Sequence, residues 1–396
     1  MDMDRGWIIR GETHYLPIGF GGDKTMHTFC LSCCIDSSTF QFLLQQLNEI
    51  SKQKDGDYAT TSYSALGFTE IRIREYSYRD KQTGQRFKKY YLMLRCNLGT
   101  IMKQSGIFAL DLNAFSVDEI TAAIQEKIKA ALPLRLANLH QMDISFWKTE
   151  RADLAADIHV PSPLLMAAML NKSFPYGYCN IKPYISKKGA VQKLESCYFF
   201  NNSRTVNIYG KLGELNAHRA YLDDDETENV SDVLRAELQL KKKAAINVFR
   251  NKKTGKRDIR NFLNPDFAYS YLEREVLNIF GAEPYINRPA ALARIRQSRF
   301  KPSEQAVMVK VIQAIHDYKG LYNLEKAIAA GQAPPEFGSL KDFRKMLKKI
   351  RSLGFNPVTL PDCLAGTKYA ELPSLYELLQ QSKRKGGIAN GNADST

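Results

Sequence analysis

The sequence predicts an α+β protein, with an antiparallel sheet in residues 1–250 and an all-helical domain in residues 263–382. Runs in the first part alternate apolar and polar residues, which is typical of strands that bury one face. After residue 263 apolar residues recur every three or four positions, as in amphipathic helices. The basic segment 251–262 separates the two patterns, so we place a connector there. The polar, Gly-rich tail 383–396 is expected to be disordered.

Composition limits the class of protein. With 396 residues, 44% of them apolar, the chain can bury a substantial core. Lys and Arg number 56 against 42 Asp and Glu, a net charge of +14, which favours a polyanionic partner such as nucleic acid. The sequence has no run of about 18 apolar residues and no targeting signal, so we expect a cytoplasmic protein without membrane contact. Its seven cysteines, an odd number, are expected to be reduced thiols.

The first half of the chain contains the elements of a sheet domain in order. An amphipathic helix is predicted over residues 38–52, followed by a hairpin with one wet face over residues 65–98. The clearest helix follows at residues 116–132, because Ser116 and Glu119 form a capping box before an apolar stripe. We expect this helix to pack on the hairpin sheet.

Three later runs place polar side chains on the faces that do not carry the apolar residues. These runs cover residues 151–160, 205–211 and 234–240. If they are neighbours in one antiparallel sheet, their polar faces converge. The groups brought together would be Arg151, Asp153 and Asp157, then Tyr209 and Lys211, then Arg235 and Glu237.

This set of groups suits the cleavage of a phosphodiester. Asp153, Asp157 and Glu237 would bind a hard divalent cation, Mg²⁺ or Mn²⁺, through oxygen ligands. Tyr209 would attack phosphorus. Since the pKa of a free tyrosine is about 10, Lys211 or the metal would have to favour the phenolate.

The arginines fit the same chemistry, since Arg151 and Arg235 would hold neighbouring phosphates through paired hydrogen bonds. A simpler interpretation stays open, because any half-exposed antiparallel sheet has a charged outer face. Asp157 would then pair with Arg151, and Glu237 with Arg235, as surface ion pairs. The acidic run at 222–229 indicates a solvated loop and no chemistry.

The order and spacing of these motifs resemble a known family. Arg-x-Asp comes first, then the segment SRTVNIYGK, and then Arg-x-Glu within VLRAELQLK. This ordered set, together with the stretch MLRCNLGTIMKQSGIFALDL, resembles the phage and plasmid rolling-circle replication initiators of the filamentous-phage gene II/X type. The resemblance covers about residues 90–245.

The resemblance implies a function. A tyrosine of that family nicks one strand of a double-stranded origin and stays attached to the 5′ end, and here it would be Tyr209, with Lys211 beside it. The metal-binding acids would be Asp153 and Glu237, whereas Asp157 has no clear counterpart in the family. Partners would be double-stranded origin DNA, single-stranded DNA, and the helicase and polymerase of a prokaryotic host.

The resemblance also implies a fold: a ferredoxin- or RRM-like nuclease core, related to the two-histidine (HUH) nicking fold but without its pair of histidines. Arg204, within the tyrosine motif, would be a DNA contact. In the second half, the amphipathic helix at 339–354 presents Arg344, Lys345 and Lys348 on a basic outer face. This face would contact DNA, or it would simply be solvated.

Two other functions remain open at this point. One is a sequence-specific DNA-binding protein without catalysis, whose tyrosine and carboxylates only build the sheet. The other is a relaxase or single-strand transposase, which would share the tyrosine chemistry and act on a different DNA.

Overall fold

The protein has an α+β architecture, in which a large antiparallel sheet is followed by a mainly helical C-terminal region. Ten strands of the sheet lie side by side in the order β2-β3-β4-β5-β1-β7-β11-β10-β9-β8, and the short β6 pairs with β1. The computed structural model describes residues 24–80, 82–104, 108–132, 143–177, 180–181, 196–217, 222–249 and 257–389.

The strands of the sheet are β1 (Lys24–Ile35), β2 (Ser51–Lys54), β3 (Asp57–Thr60), β4 (Phe68–Arg79), β5 (Arg86–Asn97), β6 (Leu110–Asp111), β7 (Lys148–His159), β8 (Asn180–Ile181), β9 (Ser196–Phe200), β10 (Arg204–Gly210) and β11 (Val233–Lys241). The helices associated with them are α1 (Ser37–Gln46), α2 (Leu98–Ile101), α3 (Val117–Ala131), α4 (Pro163–Ser173), α5 (Lys211–Ala217), α6 (Asp224–Ser231) and α7 (Lys242–Val248).

The C-terminal region contains α8 (Pro265–Phe280), α9 (Arg288–Arg296), α10 (Pro302–Asp317), α11 (Leu321–Ala329), α12 (Leu340–Arg351) and α13 (Leu375–Ala389). It also contains a two-stranded sheet, β12 (Tyr285–Ile286) with β13 (Glu371–Leu372). The region is therefore mainly helical, and not all-helical as predicted.

The adjacency predicted from the three alternating runs is confirmed, because β7, β11 and β10 are consecutive neighbours in the sheet. Leu238 lies across from Leu154 on one side and from Val206 on the other, and all three side chains belong to the apolar core. The intervening residues of each strand therefore share the opposite side. We call this side the polar face.

One apolar core joins the sheet to the C-terminal helices. Phe174, which directly follows α4, stacks on Phe199 of β9, and both rings pack against Phe280 of α8. Helices α8 and α13 also pack against β7. The predicted boundary at 251–262 falls partly outside the described residues, since these resume at residue 257 after residue 249.

Local sequence signals account for most helix ends. Ser116 and Glu119 form the predicted capping box of α3, which is confirmed. The acidic run predicted to be a loop instead forms α6, where Asp223 and Glu226 make a second capping box. Carboxylates in the first turn of a helix stabilise it through the helix dipole, which explains the difference. Helix α13 also continues to Ala389, past the predicted start of a disordered tail.

The described residues also bear on two other expectations, which concern membrane-spanning helices and the state of the cysteines. Among the described residues, no helix combines the length and the apolar character that crossing a membrane requires. The six cysteines within the described ranges are all free thiols, as expected.

Candidate active site on the polar face

The candidate site lies where the polar faces of β7, β11 and β10 adjoin. Arg235 of β11 is directly across from Asp157 of β7 and from Tyr209 of β10. Two residues further along β11, Glu237 is across from Asn207. The register therefore brings together the predicted tyrosine, arginines and carboxylates.

Arg151 links two of the predicted metal ligands. Its Nε donates to Asp153 Oδ1 at 2.6 Å, and its Nη2 donates to Asp153 Oδ2. The same Nη2 lies 3.9 Å from Glu237 Oε1. Arg151 keeps 28% of its side-chain surface exposed, whereas Asp153 is fully buried. The guanidinium thus stands between two carboxylates at the edge of a buried site.

Burial raises the pKa of Asp153 to about 7. The hydrogen bonds from Arg151 act in the opposite direction, and the negative charge of Glu237 raises the pKa further. A carboxyl that is removed from water has a raised pKa unless nearby positive charge compensates fully for the lost hydration. A divalent cation bound to Asp153 would favour the ionised form of the carboxyl.

The second ion pair, between Arg235 and Asp157, is of a different kind. Arg235 Nε donates to Asp157 Oδ1 at 2.6 Å and Nη2 donates to Oδ2 at 2.8 Å, while the backbone N–H of Ala109 donates to Oδ2 at 2.9 Å. Both side chains are buried. This ion pair joins two neighbouring strands in the interior of the protein. The simpler interpretation predicted instead that Asp157 pairs with Arg151 at the surface. In this arrangement Arg235 does not reach a phosphate at the surface.

Tyr209 lies against this pair with 8% of its surface exposed. Its hydroxyl donates to Glu237 Oε2 at 3.3 Å. Burial raises the pKa of the phenol well above its usual value, and the charge of Arg235 offsets only part of this effect. Lys211 Nζ donates to Glu214 Oε2 at 2.8 Å, and burial lowers the pKa of Lys211. The tyrosine is therefore a neutral phenol whose hydroxyl already points to a carboxylate.

Sequence reasoning missed His27 as a member of the site. The pairing of β1 with β7 shifts between Met26 and Thr28, so His27 occupies a bulge of the kind that often re-aims a side chain near an active site. Burial lowers its pKa to about 3, and the charges of Arg235 and Lys211 act in the same direction. The imidazole is therefore neutral at physiological pH. No local pattern in the sequence signals a bulge here.

Two of the three carboxylates predicted to bind Mg²⁺ or Mn²⁺ are placed to do so. Asp153 and Glu237 supply hard oxygen ligands near one another, and Mg²⁺ commonly uses one or two carboxylates together with phosphate and water. Asp157 is held by Arg235 on the neighbouring strand. Within the described part of the chain, no group of three or more His, Cys, Asp or Glu side chains is arranged to hold a metal ion. A two-carboxylate site requires Arg151 to move aside.

The other predicted DNA contacts differ in how freely they face solvent. Arg204, at the start of β10, is paired with Glu275 of α8 and so ties the sheet to the helices. On α12, Arg344 forms a two-pronged ion pair with the buried Glu325 of α11, at 2.8 and 3.0 Å. Arg344 nevertheless keeps 45% of its side chain exposed, and Lys348 and Lys345, which pairs with Asp342, are exposed on the same helix. The amphipathic helix is confirmed, and two of these three exposed basic side chains also form ion pairs with carboxylates of the protein.

Comparison with protein-family models finds no match for this chain, and comparison with curated proteins finds none either. A functional conclusion therefore depends on the geometry of the site and on the motif resemblance.

The raised pKa of Asp153 predicts a pH-dependent effect of Asp153→Asn. Between the pKa of an unfolded Asp, about 3.9, and the folded value of about 7, the native protein binds the extra proton, so native stability falls as pH rises through this window. The variant lacks this proton. Relative to the variant, the wild type should lose up to about 4 kcal/mol of unfolding free energy from pH 4 to pH 8.

Urea unfolding of both proteins at several pH values, without divalent cations, measures this difference. A stability difference that stays constant across the window would show that Arg151 keeps Asp153 ionised throughout.

Proposed function

We propose that this protein is a rolling-circle DNA replication initiator, which nicks one strand of a double-stranded origin. The Tyr209 oxygen attacks a phosphodiester, a Tyr–O–P bond forms to the 5′ phosphate, and the bond from phosphorus to the 3′ oxygen breaks. The observation that carries the proposal is the convergence of Tyr209 with Glu237, Arg235 and the Arg151–Asp153 pair on one polar face. The ordered motif set supports the same function.

Activation of the tyrosine follows from its contacts. Glu237 accepts the hydroxyl hydrogen of Tyr209, so it is placed to receive the phenol proton as the oxygen attacks. The buried Arg235 beside the ring stabilises the negative charge that develops on the oxygen. Asp157 holds Arg235 in this position. The breaking bond leaves a 3′ oxygen, which takes up a proton from water to become the free 3′-hydroxyl.

A divalent cation held by Asp153 and Glu237 would polarise a phosphate oxygen and offset the charge of the pentavalent transition state. Its binding would release Arg151 from Asp153. Arg151 is the most exposed of these groups, so its freed guanidinium is well placed to contact a flanking phosphate. Lys211 lies beside the same site and adds positive charge.

Access to Tyr209 requires a rearrangement. Helix α5 begins directly after β10 and packs against β10 and β11, and the ring has little exposed surface. A phosphodiester therefore reaches the hydroxyl only after the segments around the ring shift. We infer that origin binding opens the site before cleavage, which would restrict nicking to the correct DNA.

The nicking step would be reversible. The covalent link conserves the energy of the phosphodiester, so a returning 3′-hydroxyl reverses the step and rejoins the strand. A host helicase and polymerase would act on the free end in a prokaryotic cell. The core would be a nuclease fold of the ferredoxin or RRM type, without the two-histidine motif. A relaxase or single-strand transposase would use the same groups on other DNA.

A second candidate is a DNA-binding protein without catalysis. The observation that favours it is that Tyr209 and Arg235 are buried and that the predicted ligands have protein partners. In this case the ion pairs only stabilise the sheet.

Substitution of the tyrosine separates the two candidates. Supercoiled plasmid carrying the cognate origin is incubated with protein and Mg²⁺ or Mn²⁺, then denatured, and nicked DNA linked to protein is measured on a gel. Tyr209→Phe should abolish both nicking and linkage because it removes the attacking oxygen. Tyr198→Phe is the matched control, since Tyr198 lies across from Asn207 on the next strand. Unchanged nicking by Tyr209→Phe would exclude this residue as the nucleophile.

Substitution of Glu237 tests the proton and metal roles. Glu237→Gln keeps the shape and hydrogen-bonding capacity of the side chain, but weakens its ability to accept a proton or bind a cation. We expect nicking to slow by roughly 100-fold or more while origin binding and folding stay near wild type. Cleavage rate and origin affinity are measured on the same preparation. An equal loss of both would assign Glu237 a structural or DNA-binding role instead.

A further inference from the structure

The hairpin of β4 and β5 extends beyond the sheet. Strand β3 pairs with β4 only along Ile71–Arg74, and β1 pairs with β5 only along Tyr90–Asn97. Residues 76–79 and 86–89 pair with one another, and no other described strand pairs with them. We call these two segments the free ribbon. The proposed chemistry gives them no role.

One side of the free ribbon is lined by aromatic rings and cations. Tyr78 stacks on Phe87 across the ribbon, with ring centroids 5.6 Å apart, and Lys89 Nζ lies 4.8 Å from the centroid of Tyr78. Just outside the free ribbon, the Arg74 guanidinium pairs with the buried Asp57 and lies 5.2 Å from the centroid of the Tyr76 ring. All three aromatic residues are exposed: Tyr76 by 44%, Tyr78 by 40% and Phe87 by 38%. We call these five side chains the aromatic ladder.

The aromatic ladder lies on the same side of the sheet as the candidate site. Residues that pair directly across two strands lie on the same side of the sheet. Arg151 pairs with Cys30 of β1, and Cys30 pairs with Arg95 of β5, so all three lie on the polar face. Alternate residues along β5 then lead from Arg95 to Phe87. Arg95 is exposed between the two regions. At about 3.4 Å per residue in an antiparallel strand, the ladder reaches about 27 Å beyond Arg95.

The charge of the hairpin suits a polyanion. Residues 72–91 contain seven Lys or Arg and two acidic residues. Exposed rings interleaved with cations are the combination that proteins use to bind single strands, whose bases stack on the rings while the cations follow the phosphates. Bases in a duplex are already stacked on one another and do not offer their faces.

A structural role for the rings is the competing explanation. A free two-stranded ribbon is only marginally stable, and cross-strand aromatic pairs stabilise it. That role requires the rings to contact each other, but it does not require a cation-rich face that is continuous with the candidate site.

We propose that the aromatic ladder binds single-stranded DNA and directs it along the polar face toward Tyr209. The assignment of the strand as DNA rests on the proposed function. Bases stack on Tyr76, Tyr78 and Phe87, and Lys89 contacts the backbone.

The test measures binding without cleavage. Fluorescence anisotropy follows the binding of labelled oligo(dT) of about 15 nucleotides, and of a duplex of equal length, to full-length Tyr209→Phe protein without metal. In this background Tyr78→Val with Phe87→Val removes two rings and keeps residues that favour strands. The affinity for oligo(dT) should fall at least about tenfold and that for the duplex less than about twofold.

A matched pair of lysines separates binding from ribbon stability. Lys89 lies on the ladder side, whereas Lys88 lies on the opposite side and pairs with Glu75. Lys89→Gln should weaken oligo(dT) binding several-fold more than Lys88→Gln, although both remove one charge. Equal effects of the two lysines, or unchanged oligo(dT) binding after loss of the rings, would overturn the proposal, as would equal losses for single-stranded and duplex DNA.

Failure of this proposal and failure of the proposed function give different results. If the ladder variants bind oligo(dT) normally while the wild type still nicks its origin, the aromatic ladder has no role in binding single strands, but the proposed initiator function is supported. If the ladder variants lose single-strand binding while the wild type never forms a covalent complex with DNA, the ladder stands and the initiator does not.

Discussion

The antiparallel register of β7, β11 and β10 is the constraint on which the candidate site depends. Side chains alternate between the two sides of a sheet, so a slip of one residue in β11 would send Arg235 and Glu237 into the core. The apolar pairs prevent this slip, because Leu238 lies across from Leu154 and Ala236 across from Ala156. Burial of these side chains thus decides which polar groups meet, and the site is a consequence of how the core packs.

The electrostatics of the polar face follow from this register. A buried charge is tolerated only with a partner, and the two ion pairs meet this need in different ways. The Arg235–Asp157 pair is buried, and Tyr209 lies directly across from Arg235 on the neighbouring strand. The Arg151–Asp153 pair is open at one side and sits beside a second carboxylate, Glu237. A cation could therefore replace the Arg151 guanidinium at Asp153, and a phosphate could replace Asp153 as the partner of the guanidinium.

Much of this arrangement could be predicted from the sequence, because alternation is a local signal that identifies both a strand and its two sides. Pairing is not local, so the contact of Asp157 with Arg235, rather than with Arg151, required the register itself. His27 reached the site through a bulge that no residue pattern marks. The two-residue strands β12 and β13 were also missed, since their sequences are too short to show a period. Capping signals located α3 but were overlooked in the acidic segment that forms α6.

The position of the covalent link between protein and DNA tests the assignment of Tyr209 as the nucleophile. After reaction with origin DNA and a divalent cation, the complex is digested with nuclease and trypsin, and the peptides are sequenced by mass spectrometry. Trypsin releases the segment Thr205–Lys211 as one peptide, because Arg204 precedes it and Lys211 ends it. Tyr209 within this peptide should carry the nucleotide. A nucleotide on any other residue, or nicked DNA without a protein adduct, would contradict it.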